Sequence, residues 1–307
     1  MSEPTVAVFH RTTITNRALT LLAATRPAFL TASMLPVLAS GALAYGQSGG
    51  KISLVMLSLA VINIILIHAG ANVLNDYFDA RNGSDGINKD RIFPFTGGSR
   101  FIQNEVLDLR ETWNYGMALM LAGGLLGLYM VSQVGLPLLV LGITGALLAW
   151  FYSAPPCLAC KGLGDLVIAT CFGILPVIGT STILLGYITE QSWWLGAIIG
   201  CFVSAILWIN SIPDIRADRI AGKMTLPARL GPRKALWGLP VLFALGYGLL
   251  LISPLPRYSL LALASVVPAL LASRAMVQNR LIPAIPLTLI THAAACTLLI
   301  IGLLLSC

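Results

Sequence analysis

Two stretches of the chain carry residues whose types and spacing suit them to chemistry. The first, NVLNDYFDARNGSD at 72–85, holds three aspartates and three asparagines within fourteen positions. It follows directly on the apolar run ISLVMLSLAVINIILIHAGA. The second, NSIPDIRADRIAGKMTLPARLG at 210–231, closes another apolar run near 193–213. In each, an asparagine precedes an aspartate by four positions: Asn72 and Asp76, Asn210 and Asp214. Asp79 follows three after Asp76, and Asp218 four after Asp214. Residues three and four apart share a helix face, so each stretch is expected to aim an amide and two carboxylates in one direction.

Carboxylates beside lipid are costly, about 2.5–3.5 kcal/mol each at a helix centre. Something must offset that cost. Clustered carboxylates suit hard divalent cations, and Mg²⁺ takes one or two of them together with waters and substrate phosphate oxygens. Arg81, Lys89 and Arg91 follow the first cluster, and Arg216, Arg219 and Lys223 the second. Arginine forks match phosphate oxygens in pairs of hydrogen bonds. The chemistry these residues spell is therefore Mg²⁺ ions clamping a diphosphate between two acidic helix ends.

The elements that must position them are membrane helices. The chain of 307 residues is 57% hydrophobic and only 10% charged, where a soluble domain carries about 25% charge. Apolar stretches of bilayer length, about 20 residues, are predicted near 27–46, 52–75, 114–132, 136–153, 164–186, 193–213, 236–252, 258–278 and 285–306. The expected fold is thus all-α, a polytopic bundle of about nine transmembrane helices. Residues 1–25 read as a short polar cytoplasmic tail with no signal-peptide pattern, and 26–307 as one transmembrane domain.

Nine spans place the termini on opposite sides, and 17 of the 19 basic residues then fall on the face of the N-terminus. The other face has Lys51 and Arg257. The positive-inside bias makes the charged face cytoplasmic. The net charge of +7 therefore marks one ionic face of a membrane body and is no footprint for nucleic acid. The six cysteines include a lone C-x-x-C, Cys157 and Cys160. Without further ligands or a redox fold around it, the expectation is small apolar fillers.

The order and content of these segments resemble the UbiA-type intramembrane aromatic prenyltransferases over nearly the whole chain. The resemblance runs from TRPAFLTASMLPVLASGALAY through NVLNDYFDARNGSD and FYSAPPCLACKGLGDL to DIRADRIAGKMTLPARLG. NDYFDxxxGxD and GKxTLxxxLG look most like the branch that prenylates 1,4-dihydroxy-2-naphthoate in menaquinone synthesis. FPFTGGSR differs from the segment expected after the first motif. Close relatives act on other acceptors, among them 4-hydroxybenzoate, homogentisate and chlorophyllide-like molecules.

The resemblance implies a bacterial inner-membrane enzyme whose helices surround a central cavity open to the cytoplasm. It would carry an isoprenyl chain from an isoprenyl diphosphate to an aromatic acceptor with Mg²⁺, amid membrane lipid. By the same resemblance, Asn72, Asp76 and Asp79 ligate or support one Mg²⁺, and Asp214 and Asp218 another. Asp85 matches a trailing acid with a supporting role. Tyr152 and Lys161 are the nearest matches to residues that contact substrate, and Lys223 lies in the matching GKMTL segment. Arg81 and Asn210 join the substrate-binding set by their place in the two clusters.

Some residues stay open. Arg26 opens the first span and either reaches a phosphate or anchors the helix by snorkelling. His68 lies about two turns before Asp76. It is either functional or satisfied on a neighbouring carbonyl, and His292 in the ninth span is read the same way. Gly97, Gly98 and Ser99 are a candidate for a phosphate-binding turn. SWW at 192–194 reads as an interfacial anchor. An ion-coupled carrier, which also places acids in its spans, is the reading from a different class.

Overall fold

The structure, a computed structural model, describes residues 3–5, 14–83 and 87–307. After a short α1 (Ile14–Ala24), nine helices among the described residues are long and apolar enough to cross a membrane. They are α2 (Pro27–Gln47), α3 (Leu54–Asn82), α4 (Leu109–Val134), α5 (Leu136–Ser153), α6 (Gly164–Leu185), α7 (Glu190–Ser211), α10 (Pro232–Ile252), α11 (Arg257–Val277) and α12 (Leu281–Leu304). Two short helices, α8 (Ile215–Ile220) and α9 (Leu226–Leu230), interrupt the series after α7.

Local chemistry sets the boundaries. Ser53 caps α3 by accepting from the Met56 N–H at 3.3 Å, and Gly83 ends the helix at φ 81°. Asp108 and Glu111 cap α4 reciprocally at 2.7 and 3.0 Å, which is the capping-box arrangement. Thr189 and Ser192 do the same for α7. Helices α3 and α4 outrun their predicted apolar stretches, because helical hydrogen bonding continues past the hydrocarbon-grade residues. The consequence matters in α3, whose last turns carry Asp76 and Asp79.

The second cluster departs from the helix-face expectation. α7 stops at Ser211, Pro213 follows, and Asp214 heads the separate helix α8. Proline lacks the N–H needed to continue a helix. The four-residue spacing of Asn210 and Asp214 therefore spans a break and not one helical turn.

α7 is the most enclosed helix and α5 the least. Leu195, Ile198, Ile199, Phe202 and Ile209 of α7 are fully buried at the centre of the core. Close packing of α6 on α7 rests on glycine. A Cβ at Gly173 would lie 2.4 Å from the Gly200 Cα, and one at Gly196 would lie 2.8 Å from the Ile174 Cα. Small residues of this kind let membrane helices approach backbone to backbone. Within α6, residues Thr170–Ile174 form a π-turn just before Pro176. The proline ring clashes with the carbonyl four residues back and offers no N–H to it, so the register loosens there.

The cysteine expectation needs one correction. Cys157 and Cys160 are disulfide-bonded across a tight turn that sets their Cα atoms 5.2 Å apart. Cys171, Cys201 and Cys296 are free and at least partly buried, and Cys307 is exposed.

Candidate active site

A cavity of about 810 Å³ runs inside the bundle. Asp79, Asn88, Asp214, Asp218, Lys223 and Thr225 line one end. From there it descends between α3, α4, α5 and α6 to Ala60, Val131, Leu138 and Ile183. Asp79 to Ala60 along α3 is roughly 28 Å at 1.5 Å rise per residue. The cavity thus joins a small ionic head to a long apolar shaft.

The two clusters meet at the head. Lys223 Nζ lies 3.0 Å from each carboxylate oxygen of Asp79, bridging 144 positions of sequence. Asp79 also accepts from Asn75 and Asn82, each at 3.2 Å. Asn75 reaches Ser153 of α5 at 3.0 Å as well. Asp214 accepts from Asn88 Nδ2 at 2.6 Å and from the Gly97 N–H. Thr225 Oγ1 donates to Asp218 at 3.3 Å. The Lys223 loop is tied down through its backbone: the Lys223 N–H reaches the Asp218 carbonyl at 2.8 Å, and the Met224 N–H reaches that of Cys160 at 3.1 Å.

Asp76 sits differently. It is buried but does not line the cavity. Its carboxylate takes a hydrogen-bonded ion pair from Arg26 and the Ser99 N–H at 3.3 Å. Arg26 itself does line the cavity, from a left-handed backbone at φ 55° between α1 and α2. The 97–99 turn therefore touches both clusters, through Gly97 to Asp214 and through Ser99 to Asp76. Gly97 is at φ 72°, and a Cβ there would lie 2.7 Å from that of Arg91. The position demands glycine on both counts.

The remaining predicted residues divide. Asn72, Tyr152 and Asn210 line the cavity. Asn72 donates to the Thr25 carbonyl at 2.9 Å, and Asn210 Oδ1 is buried with no hydrogen-bond partner. The structure does not bring Arg81 or Lys161 to the cavity. Arg81 is exposed and lies over the Tyr77 ring at 5.7 Å, and Lys161 is exposed in its loop. Arg219 donates to the Ala228 carbonyl at 2.7 Å. Asp85 lies outside the described residues. Asn75, Asn88 and Thr225 were not singled out from sequence. Asn75 had a signal, its four-residue spacing to Asp79, whereas Asn88 sits in a loop with no periodicity to read.

The electrostatics are those of a crowded acid site. Burial pushes Asp214 up to about 6, with Asn88 and Lys223 pulling the other way. Burial pushes Asp218 up to about 7, opposed by Lys223 and reinforced by Asp214 and Asp79. For Lys223, burial acts downward, but Asp79 and Asp218 outweigh it and hold the ammonium well above its usual value.

Comparison with known proteins gives the family and the fold. Residues 33–284 match the profile of the UbiA prenyltransferase family. The chain belongs to that family. It is 29% identical over 224 residues to UbiA prenyltransferase domain-containing protein 1 of Xenopus tropicalis, covering 72% of this chain and 62% of that protein. The chain thus spans less than two thirds of that relative's length. It is 28% identical over 291 residues to 1,4-dihydroxy-2-naphthoate octaprenyltransferase of Bacillus subtilis (strain 168), covering 92% and 91%. Among solved structures, the UbiA homolog from Aeropyrum pernix K1 superposes with a TM-score of 0.67 at 21% identity, covering 90% of this chain and 97% of that one. The UbiA homolog from Archaeoglobus fulgidus bound to GPP and Mg²⁺ gives 0.60 at 15% identity, covering 93% and 98%. This UbiA-family chain shares their fold, an all-helical integral membrane bundle.

Proposed function

We propose that the protein transfers an isoprenyl chain from an isoprenyl diphosphate to an aromatic acceptor, 1,4-dihydroxy-2-naphthoate or a related quinone precursor. The observation that carries this reading is the meeting of Asp79, Lys223, Asp214 and Asp218 at the head of a long apolar cavity. The likeness to the Bacillus subtilis enzyme along nearly the full length of both chains supports the acceptor.

Mg²⁺ fits the residues at the head. Three carboxylates interact electrostatically there, and the Asn210 oxygen is buried without a partner. Among the described residues no three acids, histidines or cysteines close into a metal cage. A hard cation that keeps waters and binds substrate phosphate needs none. Asp79, Asp214 and Asp218 would hold the metal, with Asn72 and Asn210 as neutral oxygen donors. Asp76 contributes through Arg26 and the 97–99 turn. Bound there, Mg²⁺ would supply positive charge that stabilises the departing diphosphate.

The protein's own groups do the rest. Lys223 has three N–H donors, of which the Asp79 carboxylate engages up to two, so a third is available to a phosphate oxygen. Arg26 is positioned to add a second cation at the same wall. As the allylic carbon–oxygen bond breaks, these fixed charges stabilise the leaving group without reorganising. The apolar shaft houses the isoprenyl tail and keeps water from the carbocation-like centre. The electron-rich ring then captures that carbon and loses a proton. Tyr152 lines the same head and is placed to contact substrate.

By the bias of basic residues, the ionic end and the first 25 residues are taken to face the cytoplasm, and the likeness to the Bacillus subtilis enzyme supports a bacterial cell membrane. The test is to incubate the purified protein with Mg²⁺, isoprenyl diphosphates of several lengths and a panel of aromatics, and to read products by mass spectrometry. A prenylated dihydroxynaphthoate is expected. Prenylation of another ring would move the acceptor, and no aromatic product at all would overturn the reading.

A further inference from the structure

His68 lies on the cavity wall about 16 Å below Asp79 along α3, at 1.5 Å per residue. Ser33 pairs with one ring nitrogen, Nδ1, and leaves the other without a partner. Ser33 Oγ donates its one proton to the Leu30 carbonyl at 2.9 Å. With that proton on Leu30, the 2.9 Å contact between Ser33 Oγ and His68 Nδ1 is donated by the ring, and this tautomer is the one the assignment below takes. The ring is buried with no carboxylate bonded to it, and an isolated buried charge is expensive, so it is neutral. A neutral imidazole with its proton on Nδ1 presents a bare lone pair at Nε2. Among the described residues that Nε2 has no hydrogen bond, and it is not among the polar atoms sealed from solvent without a partner. It opens into the cavity. Phe172, tilted against the imidazole at 4.5 Å between ring centroids, supplies an aromatic face on the same wall.

We propose that His68 Nε2 accepts a hydrogen bond from a ring hydroxyl of the acceptor and so fixes which ring carbon faces the isoprenyl diphosphate. The assignment rests on the function proposed above. Its discriminating step is chemical. An isoprenyl tail has no polar hydrogen, and an ionised diphosphate offers only acceptors. Of the two substrates, the hydroxylated aromatic alone carries an O–H that this lone pair can take. The interval between His68 and the acids leaves room for the reacting carbon and a bicyclic ring.

The test compares 1,4-dihydroxy-2-naphthoate with its two mono-O-methyl ethers at saturating isoprenyl diphosphate, in the wild type, His68→Phe, His68→Gln and Ser33→Ala. The wild type should lose about 2- to 12-fold in kcat/KM on one of the ethers, the worth of one neutral hydrogen bond. His68→Phe should show that same loss on the parent acceptor, with no further penalty for the methyl group and an unchanged KM for isoprenyl diphosphate. His68→Gln, which keeps an acceptor atom, should retain the discrimination. Ser33→Ala should weaken it without altering the cavity wall, and it keeps the question open to measurement if His68→Phe fails to fold. A hydroxyl-to-methoxy ratio unchanged in every variant, or an effect confined to the KM for isoprenyl diphosphate, would overturn the assignment. A wild type that prenylates no aromatic overturns the function as well, and the wild-type reactions alone reveal that case.

Discussion

Lys223 Nζ stands 3.0 Å from both oxygens of Asp79, tying the end of α3 to the loop after α8. Both side chains are largely shielded from solvent. Removing one partner of such a pair strands the other charge, which costs more than the pair contributes. Lys223→Met and Asp79→Asn should each lower the detergent melting temperature of the metal-free protein. The double variant should melt above the worse single.

The same lysine should matter to turnover through the diphosphate. Losing one charge-assisted contact costs about 1.5–3 kcal/mol, or roughly 10- to 150-fold. Steady-state kinetics of Lys223→Met at saturating Mg²⁺ should show that loss toward isoprenyl diphosphate, with little change toward the aromatic. Impairment confined to the aromatic would move Lys223 to the acceptor side.

On the proposed reading, proton and metal compete for the second cluster. Burial raises Asp214 to about 6 and Asp218 to about 7 in the metal-free protein, whereas an unfolded aspartate titrates near 3.9. Between these values the folded state binds more protons than the unfolded one, so stability falls as pH rises through about 6 to 7. Metal-free protein should therefore melt lower at pH 8 than at pH 5.5, and Mg²⁺ should narrow the gap. Mg²⁺ affinity runs the other way, weakening below about pH 7 as the acids protonate. A titration of turnover against Mg²⁺ at several pH values measures it.

Much of this was legible in the sequence, for identifiable reasons. The nine spans follow from apolar length, and the acids stand out because charge at span ends is costly. Periodicity read the first cluster correctly as helix, since α3 runs on to Asn82. It misread the second, because Pro213 breaks the helix while leaving Asn210 and Asp214 on the same cavity. Nothing in the spacing could show that Arg26 would take Asp76, or that Arg81 would turn onto Tyr77. Those depend on side-chain directions in three dimensions. The Cys157–Cys160 bond depends on a turn geometry that composition does not encode.

Arg81 separates position in the motif from position in the fold. It follows the acids in sequence, yet it is exposed and stacked on Tyr77. Arg81→Gln should leave the kinetics with both substrates within about twofold, a surface change being worth within ±0.5 kcal/mol. A loss of tenfold or more would place Arg81 on the substrate.

The α6–α7 contact gives a prediction about stability alone. Gly173→Ala would set a methyl 2.4 Å from the Gly200 Cα, against backbone that cannot rotate away. Overpacking of this kind costs about 1–3 kcal/mol. The variant should melt several degrees lower in detergent, and Gly179→Ala, whose Cβ meets nothing within 4 Å, should not.

On the proposed reading, two motifs far apart in sequence form one diphosphate site. Its most direct measurement is the turnover of Asp79→Asn, Asp214→Asn and the double variant under identical saturating conditions. Groups that act as a unit are not additive. Each single change should nearly abolish turnover, and the double should be hardly worse than either. Losses that multiply, each cluster contributing its own independent factor, would contradict it.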